Sequence, residues 1–228
     1  MKVLELFSGT ANLARIARER GHDVLTVDLL QPADLNADVR DLTAERIVAL
    51  LGGRPDMVWA SPPCQGFSVA SIGRMWTQHA DGSVTPKHPT AVLGMDLLAA
   101  TVALIDALAP TASFIENPRG MMRHMPVLAA FVRQTVTFCQ YGERRMKPTD
   151  IWTNYGNGWL ARPACKSGDP CHDAAPRGSR TGTQGIAGAK DRGRLPDDLC
   201  RAVLDAVEWR LTTQSVRASR LSGHPPAD

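Results

Sequence analysis

Apolar positions along the chain follow two different patterns. Short apolar runs alternate with longer stretches in which apolar residues recur every three or four positions. Val3–Phe7 reads as a first strand and stops at Ser8-Gly9-Thr10. The next stretch is helical, with Leu13, Ile16 and Ala17 on one face and Gly21 as its C-cap. Asp23–Leu29 reads as a second strand and Met57–Ala60 as a third. Val92–Leu108 has Leu98, Val102 and Ile105 at helical spacing, with Pro110 just beyond the end. Ser113–Ile115, Thr135–Cys139 and Asp150–Thr153 read as further strands. A last helix is expected from Pro196, where Asp197 and Asp198 suit the positive end of the helix dipole. Leu199, Val203 and Val207 form its buried stripe, and the residues from Thr212 on read as a polar, frayed tail. Strands alternating with helices predict a Rossmann-like α/β fold, a mostly parallel sheet with helices on both faces. In such sheets ligands bind beyond the carboxyl ends of the strands.

Composition narrows this picture. A length of 228 residues suits one domain with a sizeable core. No apolar stretch of about 18 residues or more is present, so no membrane span is expected, and Glu5 inside the first apolar run argues for a strand over a signal peptide. Five cysteines at irregular spacing suggest no disulfide framework and imply a reducing cytoplasm. The net charge of +3 is unevenly spread. Lys and Arg against Asp and Glu number 12 to 13 in residues 1–142, 10 to 5 in residues 143–194, and 4 to 5 in residues 195–228. The excess lies in a Gly-, Ser-, Thr- and Pro-containing segment. That segment reads either as a contact to a phosphate backbone or as a solvated loop.

The candidate chemistry lies at the strand ends. Pro62-Pro63-Cys64-Gln65 follows the Met57–Ala60 run directly. Two prolines cannot continue a sheet, so they stiffen the loop that carries Cys64. The plain reading is a small buried thiol; the functional one is an attacking thiolate on a rigid loop. Glu116 ends a later strand, where it is a cap, a surface acid or a proton donor. A thiolate adding to C6 of a cytosine and an acid at N3 would make C5 nucleophilic enough to accept a methyl group. The Ser8-Gly9 turn allows close approach of a ligand. Asp28, about twenty residues on, suits ribose hydroxyls, and Asp38 an adenine amino group; the alternative is that Asp28, Asp38 and Asp41 are surface acids.

With these residues in order, the chain resembles the DNA cytosine-5 methyltransferases. The resemblance rests on Leu6-Phe7-Ser8-Gly9, on Asp28, on Asp38-Val39, on Ser61-Pro62-Pro63-Cys64-Gln65-Gly66-Phe67-Ser68 and on Phe114-Ile115-Glu116-Asn117, and it covers residues 1–155. It implies a fold that binds S-adenosyl-L-methionine. The cofactor would lie against Phe7, Ser8, Gly9, Thr10, Asn12, Asp28, Leu29, Asp38, Val39 and Pro62. It also implies Cys64 as the nucleophile and Glu116 at N3 of a flipped base, with double-stranded DNA as partner. The later motifs depart from the family pattern. Gln140–Trp152 lacks the usual spacing of arginines, leaving Arg145 and Lys147 as substitutes in the catalytic site. Arg192-Gly193-Arg194-Leu195-Pro196 lacks the asparagine of the family's last motif. Residues 1–154 are then a catalytic and cofactor-binding domain, 155–190 a short basic target-recognition segment, 191–211 a returning helix and 212–228 a tail. The wording of the basic segment is similar to that of compact phage and prophage members. Gln65, Ser68, Arg177, Ser179, Arg180, Thr183 and Gln184 are the expected DNA contacts.

Several features remain outside that reading. Cys165, Cys171 and His172, with Cys200 as a distant fourth, could ligate zinc, but the spacing is not that of a finger, and no metal is expected. The loop over residues 71–89, with His79 and His88, could close over an extruded base, and Trp76 is the tryptophan expected to lie open within it. Two rival readings stay open. One is cytosine-5 methylation of tRNA. The other is a catalytically weak DNA-binding module that needs a protein partner for target recognition.

Overall fold

A computed structural model describes residues 1–174 and 188–222. Six strands form the main sheet in the order β2-β1-β3-β6-β8-β7. They are β1 (Lys2–Leu6), β2 (Asp23–Val27), β3 (Met57–Ala60), β6 (Ala112–Pro118), β7 (Val132–Thr137) and β8 (Pro148–Thr153). The first four are mutually parallel, and β8 runs antiparallel between β6 and β7. The Rossmann-like α/β architecture expected from the alternating pattern is therefore present.

Side-chain alternation along the strands builds two cores. Leu4, Leu6, Val58, Ala60 and Ile115 face a layer that includes helices α2 (Ala44–Leu51) and α4 (Pro89–Leu108). Val3, Met57, Trp59, Ala112 and Phe114 face the opposite layer, made largely by α1 (Asn12–Glu19) and α6 (Asp197–Ser222). This is the period of two expected of strands covered on both faces. α4 is long and apolar enough to pass for a membrane span by composition, yet Ala91, Leu98, Ile105 and Leu108 sit inside the first core. His88 caps its start by accepting from the Thr90 N–H at 3.2 Å, ahead of Pro89 at the first helical position, so the helix begins earlier than its apolar pattern suggests.

Glu5 explains how α1 begins. Its N-cap, Ala11, has no side chain to offer the first-turn N–H groups and stands in the left-handed region at φ 51°. The Glu5 carboxylate, reaching across from β1, accepts from the Ala14 N–H at 2.8 Å in place of a cap. Burial pushes this carboxyl up to about 8, against the pull of that N–H and of Arg18.

Three elements differ from the expectation. α2 carries no separate sequence signal strong enough to be expected, though Thr43 caps it and Gly52 ends it in the left-handed region. The stretch after Cys64 is more ordered than a loop. It holds a short helix, α3 (Ile72–Met75), and a hairpin of β4 (Trp76–Gln78) and β5 (Val84–Pro86). α6 also runs on to Ser222, past the point where polar residues suggest fraying. The last short helix is α5 (Ala189–Gly193).

Candidate active site

The register of the sheet decides where the chemistry gathers. Leu6 pairs with Val27 and with Ala60, and Ala60 pairs with Ile115. The residues that follow, Phe7, Asp28, Ser61 and Glu116, therefore emerge in one row at the carboxyl edge. Convergence of the strand-end residues, inferred from pattern, is an observed fact of the structure.

A cavity of about 390 Å³ opens along this row. Phe7, Asp28, Leu29, Asp38 and Val39 line it, as the resemblance implies, and Gln65, Thr90 and Leu97 form its far side. Its size lies within the usual range for small-ligand sites. The turn beneath it is conformationally forced, with Phe7, Gly9 and Ala11 all at positive φ. The Ser8 hydroxyl in this turn is buried without a hydrogen-bond partner. Asp28 also shapes the loop after β2, because its carboxylate accepts the N–H groups of Gly9, Leu30 and Gln31 at 2.8–2.9 Å. Asp38 accepts from Arg40 through both oxygens, which lowers its pKa and keeps it ionised. These residues fit S-adenosyl-L-methionine: apolar walls for an adenine and carboxylates for hydroxyl and amino donors.

Of the residues assigned to the cofactor, Ser8, Gly9, Thr10, Asn12 and Pro62 are not among those that line the cavity. Asn12 instead donates through Nδ2 to the Leu195 carbonyl at 2.7 Å and to Asp197 at 2.9 Å, tying α1 to the start of α6. The reason is its place in the first turn of α1, which packs on α6 rather than on the cavity. Ser61 and Pro63 line the cavity where Pro62 was expected. Pro62 is buried, and its carbonyl accepts from Asn117 Nδ2 at 2.8 Å.

That last bond couples the two principal candidates. Asn117 follows Glu116 on β6 and holds the proline loop that carries Cys64, so the two motifs are one mechanical unit. Gly66 completes the fit: a Cβ there would stand 2.8 Å from the Thr90 carbonyl, so only glycine allows the loop to lie this close to α4. Trp76 Nε1 donates to the Gly66 carbonyl at 2.6 Å, and its ring stacks on Phe67 at 6.0 Å. Trp76 is thus buried as a brace under the Cys64 loop, correcting the expectation that it lies open. Position alone suggested exposure; the indole N–H found a carbonyl to satisfy instead.

Glu116 is buried, with Lys147 Nζ 3.9 Å away. Burial raises the Glu116 carboxyl, while Lys147 and the Ser61 hydroxyl pull it partly back; Oε1 has no hydrogen-bond partner. Burial also lowers the Lys147 ammonium, which rests 4.2 Å above the Phe138 ring centre. Lys147 has φ 30°, a strained value for a residue before proline. The half-buried Cys64 thiol is pushed up first by burial and then by charge on Glu116, while Lys147 and Arg192 favour its thiolate. Once Glu116 holds a proton its opposition vanishes, and both remaining cations favour the nucleophilic form.

Arg145, assigned with Lys147 to the catalytic site, makes its hydrogen bonds outside it, while its charge still pulls the Glu116 carboxyl down. Its guanidinium pairs with Glu143 and donates to the carbonyls of Arg192 and Arg194 at 3.1 and 3.0 Å. It pins the returning segment to the sheet, because a buried cation must be surrounded by acceptors. Arg192, which the sequence flagged only as a departure from pattern, is thereby brought near enough to Cys64 for its charge to favour the thiolate. Among the expected DNA contacts, Gln65 is exposed on the cavity rim, and Ser68 is half-buried in a bridge to Gly120. Arg177, Ser179, Arg180, Thr183 and Gln184 lie outside the described residues. The metal candidates are rearranged: Cys139 joins Cys165, Cys171 and His172, and Cys200 is buried beside Asn12 in the second core.

A mostly parallel sheet whose carboxyl edge carries this cavity, a cysteine loop and a buried acid is the architecture expected of a Rossmann-like methyltransferase. Comparison with known proteins gives the family. The C-5 cytosine-specific DNA methylase profile matches residues 1–132. A protein of frog virus 3 (isolate Goorha), described as a probable DNA (cytosine-5)-methyltransferase, is 33% identical over 163 residues, 68% of this chain and 71% of the viral protein. The chain belongs to the C-5 cytosine-specific DNA methylase family, a family of methyl-transferring enzymes. Among solved structures it is similar to a DNA modification methyltransferase encoded within an E. coli prophage, at 22% identity over 67% of this chain and 46% of that one, TM-score 0.48. It is also similar to the Entamoeba histolytica methyltransferase EhMeth, at 14% identity over 73% and 57%, TM-score 0.49. The chain spans about half the length of these solved structures.

Proposed function

We propose that this chain methylates C5 of cytosine in double-stranded DNA through a covalent bond from Cys64 to C6 of a base turned out of the helix. The observation that carries the reading is the Asn117–Pro62 hydrogen bond, which fixes the cysteine loop against the buried acid Glu116. S-adenosyl-L-methionine, when bound in the cavity, supplies the methyl group as an electrophile. Cys64 Sγ forms the bond to C6, and Glu116 delivers or shares a proton at N3, where charge develops. C5 then gains the methyl group and loses its hydrogen as a proton. The Cys64–C6 bond breaks, the ring double bond returns, and the thiolate is released. Lys147 and Arg192 hold negative charge on Cys64 at the start and end of this cycle.

In this reading residues 155–190 are the target-recognition segment, and their charge excess meets the phosphate backbone. So short a segment favours a recognition sequence of about two to four base pairs, unless a protein partner extends it. We place the chain in a reducing compartment such as the cytoplasm, the expectation carried by five cysteines at irregular spacing. Tritium transfer from labelled S-adenosyl-L-methionine to duplex DNA and to tRNA tests the proposal. Label in DNA is the expected result. Label in tRNA alone would overturn the substrate, and label in neither, from protein shown to bind the cofactor, would overturn the activity.

A further inference from the structure

We propose that Cys139, Cys165, Cys171 and His172 hold a structural zinc ion that fixes the root of the basic segment. Cys139 Sγ lies 3.1 Å from Cys165 Sγ and 3.6 Å from Cys171 Sγ. His172 Nδ1 lies 3.6 Å from Cys165 Sγ and 3.5 Å from Cys171 Sγ. All four ligand atoms fall within 4.8 Å of one another. Zinc bonds of about 2.3 Å to sulfur and 2.0–2.1 Å to nitrogen, in a tetrahedron, require S–S edges of roughly 3.8 Å and S–N edges of roughly 3.6 Å. Three of these four edges lie within about 0.2 Å of those figures, and the Cys139–Cys165 edge is about 0.7 Å shorter. They do not fit a disulfide, whose sulfurs stand about 2.05 Å apart, and all these cysteines are free.

The donor set points to the metal. Three thiolates and an imidazole form a soft site, suited to zinc and poorly suited to magnesium or calcium. Four protein ligands close the coordination, which is the pattern of a structural site and leaves no position for a substrate. Further hydrogen bonds orient the group: Gln140 Nε2 lies 3.4 Å from Cys171 Sγ, and the Cys165 N–H donates to Thr137 Oγ1 at 3.1 Å.

The placement says what the ion would do. Cys139 lies in the turn that follows β7, inside the fold, whereas the other three ligands lie in the stretch after Trp159, which holds no helix or strand up to residue 174. A segment with so little apolar surface to bury needs a clip to hold one path. The clip ends at His172, five residues before Arg177, so it sets where the basic segment leaves the sheet. The sequence conceals the site because its fourth ligand comes from a distant turn.

Metal analysis of the full chain, purified from zinc-supplemented cells without an affinity tag that binds metal, tests this independently of any methyl transfer. One zinc per chain is expected, retained on dialysis. The cobalt(II)-substituted protein should show thiolate charge-transfer bands and the intense visible bands of tetrahedral cobalt. Cys171→Ser and His172→Ala, at the surface and half-buried, should each weaken zinc binding by at least about tenfold. Cys64→Ser should keep the zinc. Less than a tenth of a zinc per chain with all thiols reduced would overturn the proposal. So would unchanged zinc in Cys171→Ser and His172→Ala, or a Cys139–Cys165 disulfide found by mass spectrometry in protein handled under reducing conditions.

Discussion

The Cys64 loop and the Lys147 segment both bring a chemical group towards Glu116, and they are held by opposite means. The Cys64 loop is fixed by shape and neutral hydrogen bonds: two prolines, a glycine pressed against α4, Asn117 on the Pro62 carbonyl and the Trp76 indole on Gly66. The Lys147 segment is fixed by charge. Arg145 grips the carbonyls of the returning chain, and Lys147 sits strained between a phenylalanine face and a buried acid. Steric fixation tolerates few substitutions, because prolines and glycine have no equivalents at those positions. A cation can be supplied from several chain positions provided the charge arrives at the same point. That difference accounts for a nucleophile motif nearly identical to the family's beside a basic segment that departs from it.

The comparison can be broken most directly at Cys64. Cys64→Ser should abolish turnover while cofactor binding by calorimetry stays nearly intact. It should also abolish the covalent adduct with DNA containing 5-fluorocytosine, where C5 carries no removable proton; an adduct surviving in that variant refutes the role of Cys64. Next in size is Glu116→Gln, which keeps the shape of the site but cannot release a proton. The single-turnover rate should drop on the order of 10²–10⁴-fold. In the parent protein the same rate should decline as pH rises through the raised pKa of Glu116, since the proposed reaction uses its protonated form. Loss of that alkaline decline in Glu116→Gln would identify the group.

The two basic residues should then separate. Lys147→Met should slow the chemical step on the order of 10²-fold with little change in melting temperature, as for loss of one electrostatic stabiliser. Arg145→Met should do the reverse. Its charged hydrogen bonds contribute about 1.5–3 kcal/mol to stability, so melting should fall, and the backbone of residues 191–194 should exchange hydrogen faster. Equal effects of the two variants on rate would show that charge, not position, governs this side of the site.

A separate prediction concerns Glu5, which belongs to neither region but reaches from β1 to the first turn of α1. Its folded pKa of about 8 lies above the ordinary 4.5, so the native chain holds a proton that the unfolded chain has released. Stability from this group is therefore full below about pH 4.5 and is lost as pH rises towards 8, by about 1.4 kcal/mol per pH unit in that window. Melting curves at pH 6 and pH 8 should show the higher midpoint at pH 6. Glu5→Gln should flatten the difference, and an unchanged slope would place the titration elsewhere.

Much of this molecule is legible in its residues taken in order. The run Met57–Ala60 ends at the observed strand boundary, and the helices bearing Leu13 and Leu199 pack by the faces their spacing marks. These elements are readable because strand and helix periods are local properties of the chain. Cys64, Glu116 and Asp28 are legible as candidates for the same reason: each closes a local pattern at a strand end, whereas Asp38 caps the short turn Val39–Asp41. Asn12, Arg145 and Trp76 are not, since what each of them does depends on a carbonyl or carboxylate supplied from elsewhere in the chain.

By itself the sequence determined the alternation of strands and helices, the turn after the first strand, and the stiff loop that carries the thiol, because φ limits and apolar spacing act within a few residues. Only the tertiary structure decided that Lys147 meets Glu116, that Arg145 is an anchor, and that Cys139 joins Cys165, Cys171 and His172. Those are meetings of buried charges and soft ligands across the sheet. Their energies depend on desolvation and on partners far away in sequence, and no local pattern records either.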